Sequence, residues 1–511
     1  MKRPTFNVYV GLFFSLYMRR FIYILPFLFL LSCATTKAPQ KEFRGVWIAT
    51  VANIDWPKHP NDDVAKKKRD FIEILDFYQK LNFNAAIVQV RTAGDALYPT
   101  DFAPWSRYLT GKEGSAPEGF QEPLKWMIKE THARGMEFHA WLNPYRATVS
   151  LDTTLLSKNH DYYLHPDWIV TYGNKNYYNP GLPEVRSKFN KIIEELVINY
   201  EVDAIHFDDY FYPYKVEGET FDDAETFSTY GLEGQSLEDW RRSNVDSLVQ
   251  NVHQTIKKHK PWVQFGISPF GVWKNKSTDP MGSETKAGQT TYEDLYADPL
   301  LWVQKGWLDY LAPQVYWSME YPVASHKVIT SWWNQHTPNT NLYIGNGTYK
   351  IKNNADKAWN KKNEIPKQLN MARELDHVDG NIFFSAKSLI GQHEKVNTKL
   401  KKRFYSYPSE NPGPLNKLVR DVQLPAIKSV QQNQQILEIC ISHTDSVPRF
   451  INIYNFQKGD HQLIGKEYLS ESDTEGCYQF QLTKKQLRNN IQINISDAFG
   501  NESTMQQLNI N

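Results

Sequence analysis

The sequence predicts an α/β fold: a (β/α)8 TIM barrel followed by a small all-β sandwich domain. Eight short apolar runs alternate with amphipathic stretches between about residues 42 and 390, which is typical of parallel strands covered by helices. The longest loops follow the second to fifth runs, on the side where such barrels carry their sites. Beyond the prolines near residue 410 the helical period disappears, and short β-rich runs take its place.

The predicted barrel strands are short runs in which apolar residues dominate. They lie at Arg44–Val51, Asn84–Arg91, Glu137–Asn143, Ala204–Tyr210, Phe265–Phe270, Tyr310–Trp317, Leu342–Thr348 and Asn381–Ser385. Helical periodicity predicts helices between them at Lys66–Leu81, Pro123–Arg134, Glu184–Tyr200, Leu237–Lys258 and Ala358–Leu375. An open, doubly wound sheet is the alternative, but no glycine-rich phosphate loop follows the first strand.

The chain divides into five predicted segments. They are a lipoprotein signal peptide at 1–33, a tether at 34–41, the barrel domain at 42–403, a linker at 404–417 and a β-sandwich domain at 418–511. Three prolines mark the last boundary: Pro408, Pro412 and Pro414. The predicted sandwich strands are Gln435–Ile441, Phe450–Tyr454, Cys477–Leu482 and Ile491–Ile495. This tail resembles a fibronectin type III or immunoglobulin-like module.

The first residues have the pattern of an exported bacterial lipoprotein. Met18-Arg19-Arg20 precedes an apolar run from Phe21 to Leu31, which is too short to cross a membrane comfortably. Leu30-Leu31-Ser32-Cys33 resembles a lipobox, whose cysteine is acylated and becomes the mature N-terminus. We therefore expect a lipid anchor at Cys33 and a place on the outer membrane, facing the periplasm or the surface. An ordinary signal peptide or anchor with a chance cysteine is the alternative.

Composition disfavours some partners and leaves others open. Lys and Arg number 58 and Asp and Glu 57, so the formal charge of +1 creates no field that attracts nucleic acid. Aromatic residues make up 14% of the chain, and Trp and Tyr are the side chains that stack on sugar rings. We expect a monomer with no cofactor, no resident metal and no nucleic-acid partner. Cys440 and Cys477 form either one disulfide or two thiols.

The fourth predicted strand carries two polar residues on one face. A period of two places Ile205 and Phe207 on one side and His206 and Asp208 on the other. Because the apolar side chains should meet the helices, we expect the polar pair to point into the barrel mouth. A carboxylate there is costly unless it is hydrogen-bonded or functional. Asp209 follows as the first loop residue. Its candidate roles are to hold the loop, to bind substrate or to bind a cation. The alternative is that both residues are structural: Asp208 is a hydrogen-bonded aspartate at the strand end, and Asp209 caps the loop.

Polar and aromatic side chains also end the second, third and sixth predicted strands. Alternation predicts, for example, that Gln89 and Arg91 share one face of the second strand. Such a ring suits a polyhydroxylated ligand, although Gln89 or His139 could equally be a hydrogen-bonded group of the barrel interior. The candidate substrate-binding residues are Gln89, Arg91, Tyr98, His139, Trp141, Asn143, Arg146, His206, Tyr212, Gln314, Tyr316 and Trp317.

Five sequence blocks resemble the signatures of the glycosyl hydrolase-like 10 family. In order, they are Arg44-Gly45-Val46-Trp47, Gln89-Val90-Arg91 with Gly94-Asp95-Ala96-Leu97-Tyr98, Trp141-Leu142-Asn143-Pro144, His206-Phe207-Asp208-Asp209-Tyr210 and Pro313-Gln314-Val315-Tyr316-Trp317. The resemblance spans about residues 42 to 390. It implies an exported, often lipid-anchored glycoside hydrolase with an amylase-like barrel. Some members of the family act on the glycan strands of peptidoglycan, so we expect such a cell-wall glycan or a related polysaccharide as the substrate, although the resemblance does not fix the sugar.

The likeness to amylase-like barrels implies that Asp208 is the catalytic nucleophile or base. Such barrels place a nucleophilic aspartate at the end of the fourth strand, two residues after an arginine, and here His206 stands in that arginine's place. They also carry an acid glutamate after the fifth strand, where this chain has Ser268-Pro269-Phe270-Gly271. The general acid therefore cannot be carried over from the resemblance.

The second carboxyl group is left open among three residues: Asp95, Asp209 and Glu320. Glycoside cleavage usually needs two carboxyl groups, about 5 to 5.5 Å apart for retention and about 6.5 to 9.5 Å apart for inversion. Glu320 lies close in sequence to Trp317 and Tyr321, and apolar surroundings would suit a proton donor. Asp95 is alternatively a structural turn residue.

Two other functions remain open. A zinc-dependent glycan deacetylase would use Asp208, Asp209, His139 and His206 as metal ligands. A non-catalytic glycan-binding lipoprotein would keep the cleft without the acid, and the missing glutamate after the fifth strand favours this alternative.

Overall fold

The computed structural model describes residues 41–415, 424–442, 444–457, 459–484, 486 and 490–508. The predicted signal peptide, the lipidated Cys33 and the tether up to residue 40 lie outside the described residues. So do residues 416–423, where the predicted linker ends and the predicted sandwich domain begins. Within the described part of the chain, no helix is long and apolar enough to cross a membrane.

Eight parallel strands close into a barrel, which confirms the predicted fold class. The barrel strands are β1 (Phe43–Ile48), β2 (Ala85–Arg91), β3 (Glu137–Leu142), β6 (Ala204–Phe207), β7 (Gln264–Ile267), β8 (Tyr310–Leu311), β9 (Asn341–Asn346) and β10 (Val378–Phe383). They are neighbours in this chain order, and β10 pairs with β1 to close the ring. A hairpin of β4 (Ile169–Tyr172) and β5 (Lys175–Tyr178) lies in the loop after β3.

At least one helix follows each barrel strand. The helices are α1 (Val64–Lys80), α2 (Arg107–Thr110), α3 (Pro123–His132), α4 (Asp161–Leu164), α5 (Pro183–Asn199), α6 (Ala224–Tyr230), α7 (Leu237–His259), α8 (Thr291–Asp294), α9 (Pro299–Gln304), α10 (His326–His336), α11 (Glu364–Glu374) and α12 (Glu394–Lys399). Side-chain caps start several of them: Asp63 accepts from the Lys66 N–H at α1, and Ser236 from the Asp239 N–H at α7.

Prolines explain the two largest errors in the predicted boundaries. β8 ends at Leu311 instead of continuing to Trp317, because Pro313 has no N–H for a ladder hydrogen bond. The chain beyond rejoins the barrel through isolated bridges of Gln314. The helix predicted from Ala358 is a short 3-10 turn there, and α11 begins only at Glu364, which places Pro366 in its first turn.

The barrel strands alternate between an inner core and an outer core that meets the helices. In β6, Ile205 and Phe207 belong to the outer core, as predicted, whereas Ala204 belongs to the inner core. Much of the inner core consists of aromatic side chains, among them Phe43, Trp47, Trp141, Tyr310 and Tyr343. Packing the interior with side chains makes it a solid layer rather than a pore.

A bulge in β2 breaks the alternation that the sequence predicts. Gln89 pairs with Trp141, an inner-core residue, but the register then shifts and Arg91 pairs with Leu142, an outer-core residue. The extra residue of a bulge moves the following side chain to the other face. The prediction that Gln89 and Arg91 share a face was therefore wrong.

Two antiparallel sheets with one shared core follow the barrel. One sheet holds β11 (Ile427–Asn433), β12 (Ile436–Ile441) and β15 (Gly476–Gln481); the other holds β13 (Pro448–Gln457), β14 (Asp460–Tyr468), β16 (Asn490–Asp497) and β17 (Gln506–Leu508). Inward residues of both sheets, among them Ile439 and Ile493, form this core. Cys440 and Cys477 lie opposite each other on β12 and β15 and form a disulfide.

The sandwich contacts the barrel base, which is the end where the barrel strands begin. Arg449 Nη1 lies 3.2 Å from the carboxylate of Asp203, and Ser470 Oγ donates to Glu201 at 2.6 Å. Glu471 forms an ion pair of 2.8 Å with Lys260. The opposite end, the barrel mouth, is left to the loops that follow the strands.

Candidate active site

Two consecutive carboxylates stand at the mouth, directly after β6. Because the strand ends at Phe207, Asp208 and Asp209 are the first residues of the following loop. One oxygen of Asp208, Oδ1, accepts hydrogen bonds from Gln314 Nε2 and from the Asp209 N–H, both at 2.9 Å. Gln314 Nε2 also donates to the Ser268 carbonyl at 3.0 Å. These bonds fix the Asp208 carboxylate in one orientation beside the segment that follows β7.

The second carboxyl group, Asp209, favours its protonated form. Burial first, and then the charge of Asp208 and a hydrogen bond between the two carboxyl groups, raise the pKa of Asp209 well above its usual range. The Tyr214 hydroxyl donates to Asp209 Oδ2. Burial, followed by the charge of Asp209, raises the pKa of Tyr214 as well, so the phenol keeps this proton. The raised pKa makes Asp209 the proton-donor candidate of the pair.

A hydrogen-bonded chain crosses the barrel interior beneath the pair. Trp47 Nε1 donates to His206 Nε2 at 3.2 Å, and His206 Nδ1 lies 2.9 Å from the Tyr310 hydroxyl. The same hydroxyl lies 2.9 Å from His139 Nδ1, whose partner Nε2 lies 3.1 Å from the Glu137 carboxylate. An indole N–H can only donate, so His206 Nε2 accepts from Trp47 and His206 Nδ1 is the ring nitrogen that donates to the Tyr310 oxygen.

These hydrogen bonds bear on the metal-dependent function that the sequence left open. His139 and His206 are fully buried, and burial, followed by the charge of His139, lowers the pKa of His206 well below its usual range. Both rings use their nitrogens for hydrogen bonds inside the barrel. His139 is therefore a hydrogen-bonded group of the barrel interior, which was one of the two alternatives left open for it. Among the described residues, no group of three or more His, Cys, Asp and Glu side chains is placed to hold a metal ion.

Five polar atoms of candidate residues on or just after β2 and β3 are buried without a hydrogen-bond partner in the described protein. They are Gln89 Nε2, Arg91 Nε, Trp141 Nε1, Asn143 Oδ1 and Arg146 Nε. Gln89 is held by its other end, since its Oε1 accepts two backbone N–H groups at the end of β1. A buried polar atom without a partner costs about 1–3 kcal/mol, so such a cluster indicates a place where a polar ligand completes the bonding.

Aromatic rings line the mouth on the β8 to β10 side. Tyr316 lies 5.8 Å from Phe384 and 6.5 Å from Trp47, and Phe384 lies 6.3 Å from Trp47, between ring centroids. We call these three residues the aromatic corner. Burial first, and then the charge of Asp208, raise the pKa of Tyr316.

A second aromatic group lies on the β6 to β8 side. Phe270 packs edge-on against Trp317 at 5.5 Å and against Tyr214 at 6.3 Å. Arg146 covers the ring of Tyr210, the residue after Asp209, at 4.1 Å. Trp317 and Tyr210 are only partly buried, so part of each ring is exposed to solvent.

The remaining candidates lie apart from the carboxylate pair or have structural contacts. Asp95 is buried, and its Oδ1 accepts three hydrogen bonds from Thr92 and Ala93. These bonds agree with the alternative that Asp95 is a structural turn residue. Arg91 donates to the Asp95 carbonyl. Tyr98 and Tyr212 are buried in the outer core. Glu320 is exposed, so the apolar surroundings that we expected for its carboxyl group are absent.

Sequence reasoning missed three residues of the site. Tyr310 is in phase with Gln314 and Tyr316, so alternation along the sixth predicted strand was a signal for it. Phe384 is the last residue but one of the eighth predicted strand and was also within reach of that argument. Tyr214 lies in a loop, and no periodicity points to its bond with Asp209.

Comparison with known proteins matches this site to a family. The model of the glycosyl hydrolase-like 10 family, described as "Glycosyl hydrolase-like 10", matches residues 42–361. The chain belongs to this family. The match includes the carboxylate pair and every candidate catalytic and substrate-binding residue named from the sequence.

Two curated relatives share this part of the chain. "Glycosyl hydrolase YngK" of Bacillus subtilis is 46% identical over 399 residues, which cover 77% of each protein. "Glycosyl hydrolase DigH" of Escherichia coli K12 is 39% identical over 374 residues, covering 69% of this chain and 84% of that protein. Among solved structures, the glycoside hydrolase domain of PgaB (BpsB) from Bordetella bronchiseptica aligns with a TM-score of 0.48 at 11% identity, over 72% of this chain and 99% of that one.

Proposed function

We propose that this protein is an exported, lipid-anchored glycoside hydrolase that cleaves glycosidic bonds in a bacterial cell-wall glycan, such as peptidoglycan strands, or in a related polysaccharide. The observation that carries the proposal is the pair of carboxyl groups at the end of β6, one fixed by Gln314 and the other with a raised pKa. Glycoside cleavage uses one carboxylic acid that donates a proton and one carboxylate that acts as nucleophile or base. The relatives, both named glycosyl hydrolases, support this reaction class.

Asp208 supplies the charged carboxylate and Asp209 the proton. The hydrogen bonds from Gln314 and the Asp209 N–H hold the Asp208 oxygen in place before substrate arrives, so no reorganisation is needed during the reaction. Whether Asp208 acts as nucleophile or as base, it must be ionised. Asp209 protonates the leaving oxygen, and its raised pKa keeps the proton available near neutral pH.

The mouth suits a polymeric sugar. The unpartnered atoms of Gln89, Trp141, Asn143 and Arg146 provide donors and an acceptor for hydroxyl groups. Partly buried rings such as Trp317 provide flat faces on which sugar rings stack. We propose that the acylated Cys33 holds this mouth near its polymer at the outer membrane.

The test is product release from a panel of glycans by the protein without residues 1–33. The panel contains peptidoglycan with and without its peptides, together with α- and β-glucans. We expect cleavage of one polymer, loss of cleavage in Asp208→Asn, and retained cleavage in Glu320→Gln, whose carboxylate is exposed. Equal product from the wild type and Asp208→Asn would refute the role of the pair.

The second candidate function is glycan binding without catalysis. It is favoured by Ser268-Pro269-Phe270-Gly271, which follows β7 where amylase-like barrels carry an acid glutamate. It predicts that the wild type and Asp208→Asn both bind one polymer of the panel in a pull-down, and that neither releases product. Measurable turnover by the wild type would exclude it.

A further inference from the structure

Ser268-Pro269-Phe270-Gly271 lies directly after β7 at the mouth, and no step of the proposed reaction uses it. It stands where amylase-like barrels carry an acid glutamate. We call these four residues segment 268–271. All of them contact the chain that follows β8; the Phe270 ring, for example, packs edge-on against Trp317 at 5.5 Å. The contacts indicate that this segment has a task of its own at the mouth.

Segment 268–271 holds Gln314 by both its main chain and its side chain. The Gln314 N–H donates to the Pro269 carbonyl at 2.9 Å, and Nε2 donates to the Ser268 carbonyl at 3.0 Å. Nε2 also donates to Asp208 Oδ1 at 2.9 Å. An amide nitrogen carries two hydrogens, and here each of them has an acceptor. Turning the amide over would place its oxygen against two acceptors, so the Ser268 carbonyl fixes how Gln314 meets Asp208.

The proline and the glycine of the segment explain why this approach is possible. Because a residue before proline is restricted to extended conformations, Pro269 limits the directions that the Ser268 carbonyl can take. A Cβ atom at Gly271 would lie 2.6 Å from the Gln314 carbonyl oxygen and 2.9 Å from Trp317 Cζ3. Only glycine lets the chain after β8 come this close.

Ser268 also binds the end of β6, directly before Asp208. Its N–H donates to the Phe207 carbonyl at 2.9 Å, and its Oγ lies 3.0 Å from His206 Nε2 and 3.2 Å from the Phe207 carbonyl. His206 Nε2 accepts from Trp47, so the Ser268 hydroxyl can only donate to it. With 1% of its surface exposed, Ser268 is fixed on both sides. It joins the end of β6 to the amide that orients Asp208.

We propose that Ser268 is a positioning residue, which holds the Gln314 amide so that Asp208 meets the substrate in one orientation. This inference rests on the proposed glycoside hydrolase function and adds a residue to its machinery. Ser268 acts through Gln314 rather than on the substrate. A carboxylate that is oriented before the substrate arrives needs no reorganisation during the reaction, and such support comes from residues behind the reacting groups.

The test is a double-mutant cycle of Ser268→Ala and Gln314→Ala, with initial rates on the polymer identified by the glycan panel. We expect Ser268→Ala to lower kcat about tenfold and to change KM by less than about twofold, because the sugar contacts remain while Asp208 loses its orientation. In the Gln314→Ala background, Ser268→Ala should change kcat by less than about twofold, because the amide through which Ser268 acts is absent. Effects on kcat that simply multiply would overturn the inference.

Ser283→Ala is the matched control. Ser283 is also buried in the loop after β7, and its Oγ is bonded to Thr285 Oγ1 at 2.9 Å. The same atom is removed from a similar environment, so a general effect of losing a buried hydroxyl would appear in both variants. We expect kcat per folded molecule to equal that of the wild type. A fall as large as that of Ser268→Ala would contradict the inference.

A second measurement does not need turnover. In protein labelled with ¹⁵N-glutamine, the side-chain amide resonances of Gln314 are those that disappear in Gln314→Ala. Ser268→Ala should shift or broaden these resonances, and Ser283→Ala should leave them in place. Unchanged Gln314 resonances in Ser268→Ala would overturn the inference. Shifted resonances, together with no product from any polymer of the panel, would support the positioning of Gln314 by Ser268 and overturn the proposed hydrolase function.

Discussion

The two ends of the barrel both bury carboxylates, but they treat them in opposite ways. At the base, burial alone would raise the pKa of Asp203, but the charges of Arg449 and His132 hold it below its usual range. At the mouth, burial and the charge of Asp208 raise the pKa of Asp209. The base therefore contains a matched ion pair, whereas the mouth contains two like groups in contact. An arrangement that costs stability indicates a site kept for chemistry.

The sandwich is part of this contrast, because it supplies the cation at the base. Arg449 begins the second sheet, and its side chain reaches Asp203 from outside the barrel. His132 Nε2 and the Phe138 N–H, both 2.7 Å from Asp203 Oδ2, complete its bonding. Among the described residues, the mouth instead holds buried donors without a partner, such as Gln89 Nε2 and Trp141 Nε1.

The largest effect should come from breaking the mouth pair. Asp208→Asn keeps the size of the side chain but removes its charge, and we expect kcat to fall by about 10³-fold or more. Gln314→Ala should lower kcat less, because it removes only the donor that orients Asp208. Initial rates on the polymer identified by the glycan panel check both values. A Gln314→Ala effect as large as that of Asp208→Asn would place the chemistry elsewhere.

Breaking the base pair should lower stability and leave chemistry unchanged. Arg449→Met leaves the buried Asp203 without its cation, so we expect a loss of about 3–5 kcal/mol in the free energy of unfolding. The double variant with Asp203→Asn removes both charges and should recover part of this loss. Urea unfolding measures stability, and kcat per folded molecule should equal that of the wild type. A fall in kcat without unfolding would contradict the separation of the two ends.

The two ends should respond oppositely to pH. Asp203 has a lowered pKa in the folded protein, so its contribution to stability is present above its ordinary value of 3.8 and is lost as pH falls below it. Asp209 has a raised pKa, so its contribution is lost as pH rises from 3.8 through its folded value. Turnover should fall over the same alkaline limb, because the acid loses its proton. Melting temperatures and rates of the wild type and Asp209→Asn, measured over the pH range, check this. The melting temperature of the variant should lack the fall with rising pH that deprotonation of Asp209 causes in the wild type.

The smallest effect should come from Glu320. Its carboxylate is exposed near the mouth, and Glu320→Gln should change kcat by less than about twofold and leave the melting temperature unchanged. The rate assay used for Asp208→Asn measures it. A large loss of kcat would show that Glu320 enters the site with substrate and would provide a carboxyl group distant from Asp208.

The sequence was sufficient to predict those features of the fold that depend on the local pattern of apolar and polar residues. Ile205 and Phe207 had to meet the helices, and this placed Asp208 at the mouth. The bulge that turns Arg91 away from Gln89 has no such signal, since alternation looks continuous through it. The partner of Asp203 lies about 250 residues away in another domain, so only the folded structure brings Arg449 to it. The same applies to the contact of Tyr214 with Asp209.

The most direct measurement compares Asp209→Asn with Asp203→Asn in the same buffer at neutral pH. If the mouth pair is kept for chemistry at a cost to stability, Asp209→Asn raises the melting temperature and abolishes turnover, whereas Asp203→Asn lowers the melting temperature and retains turnover per folded molecule. An Asp209→Asn protein that melts earlier and still cleaves its glycan would contradict the account.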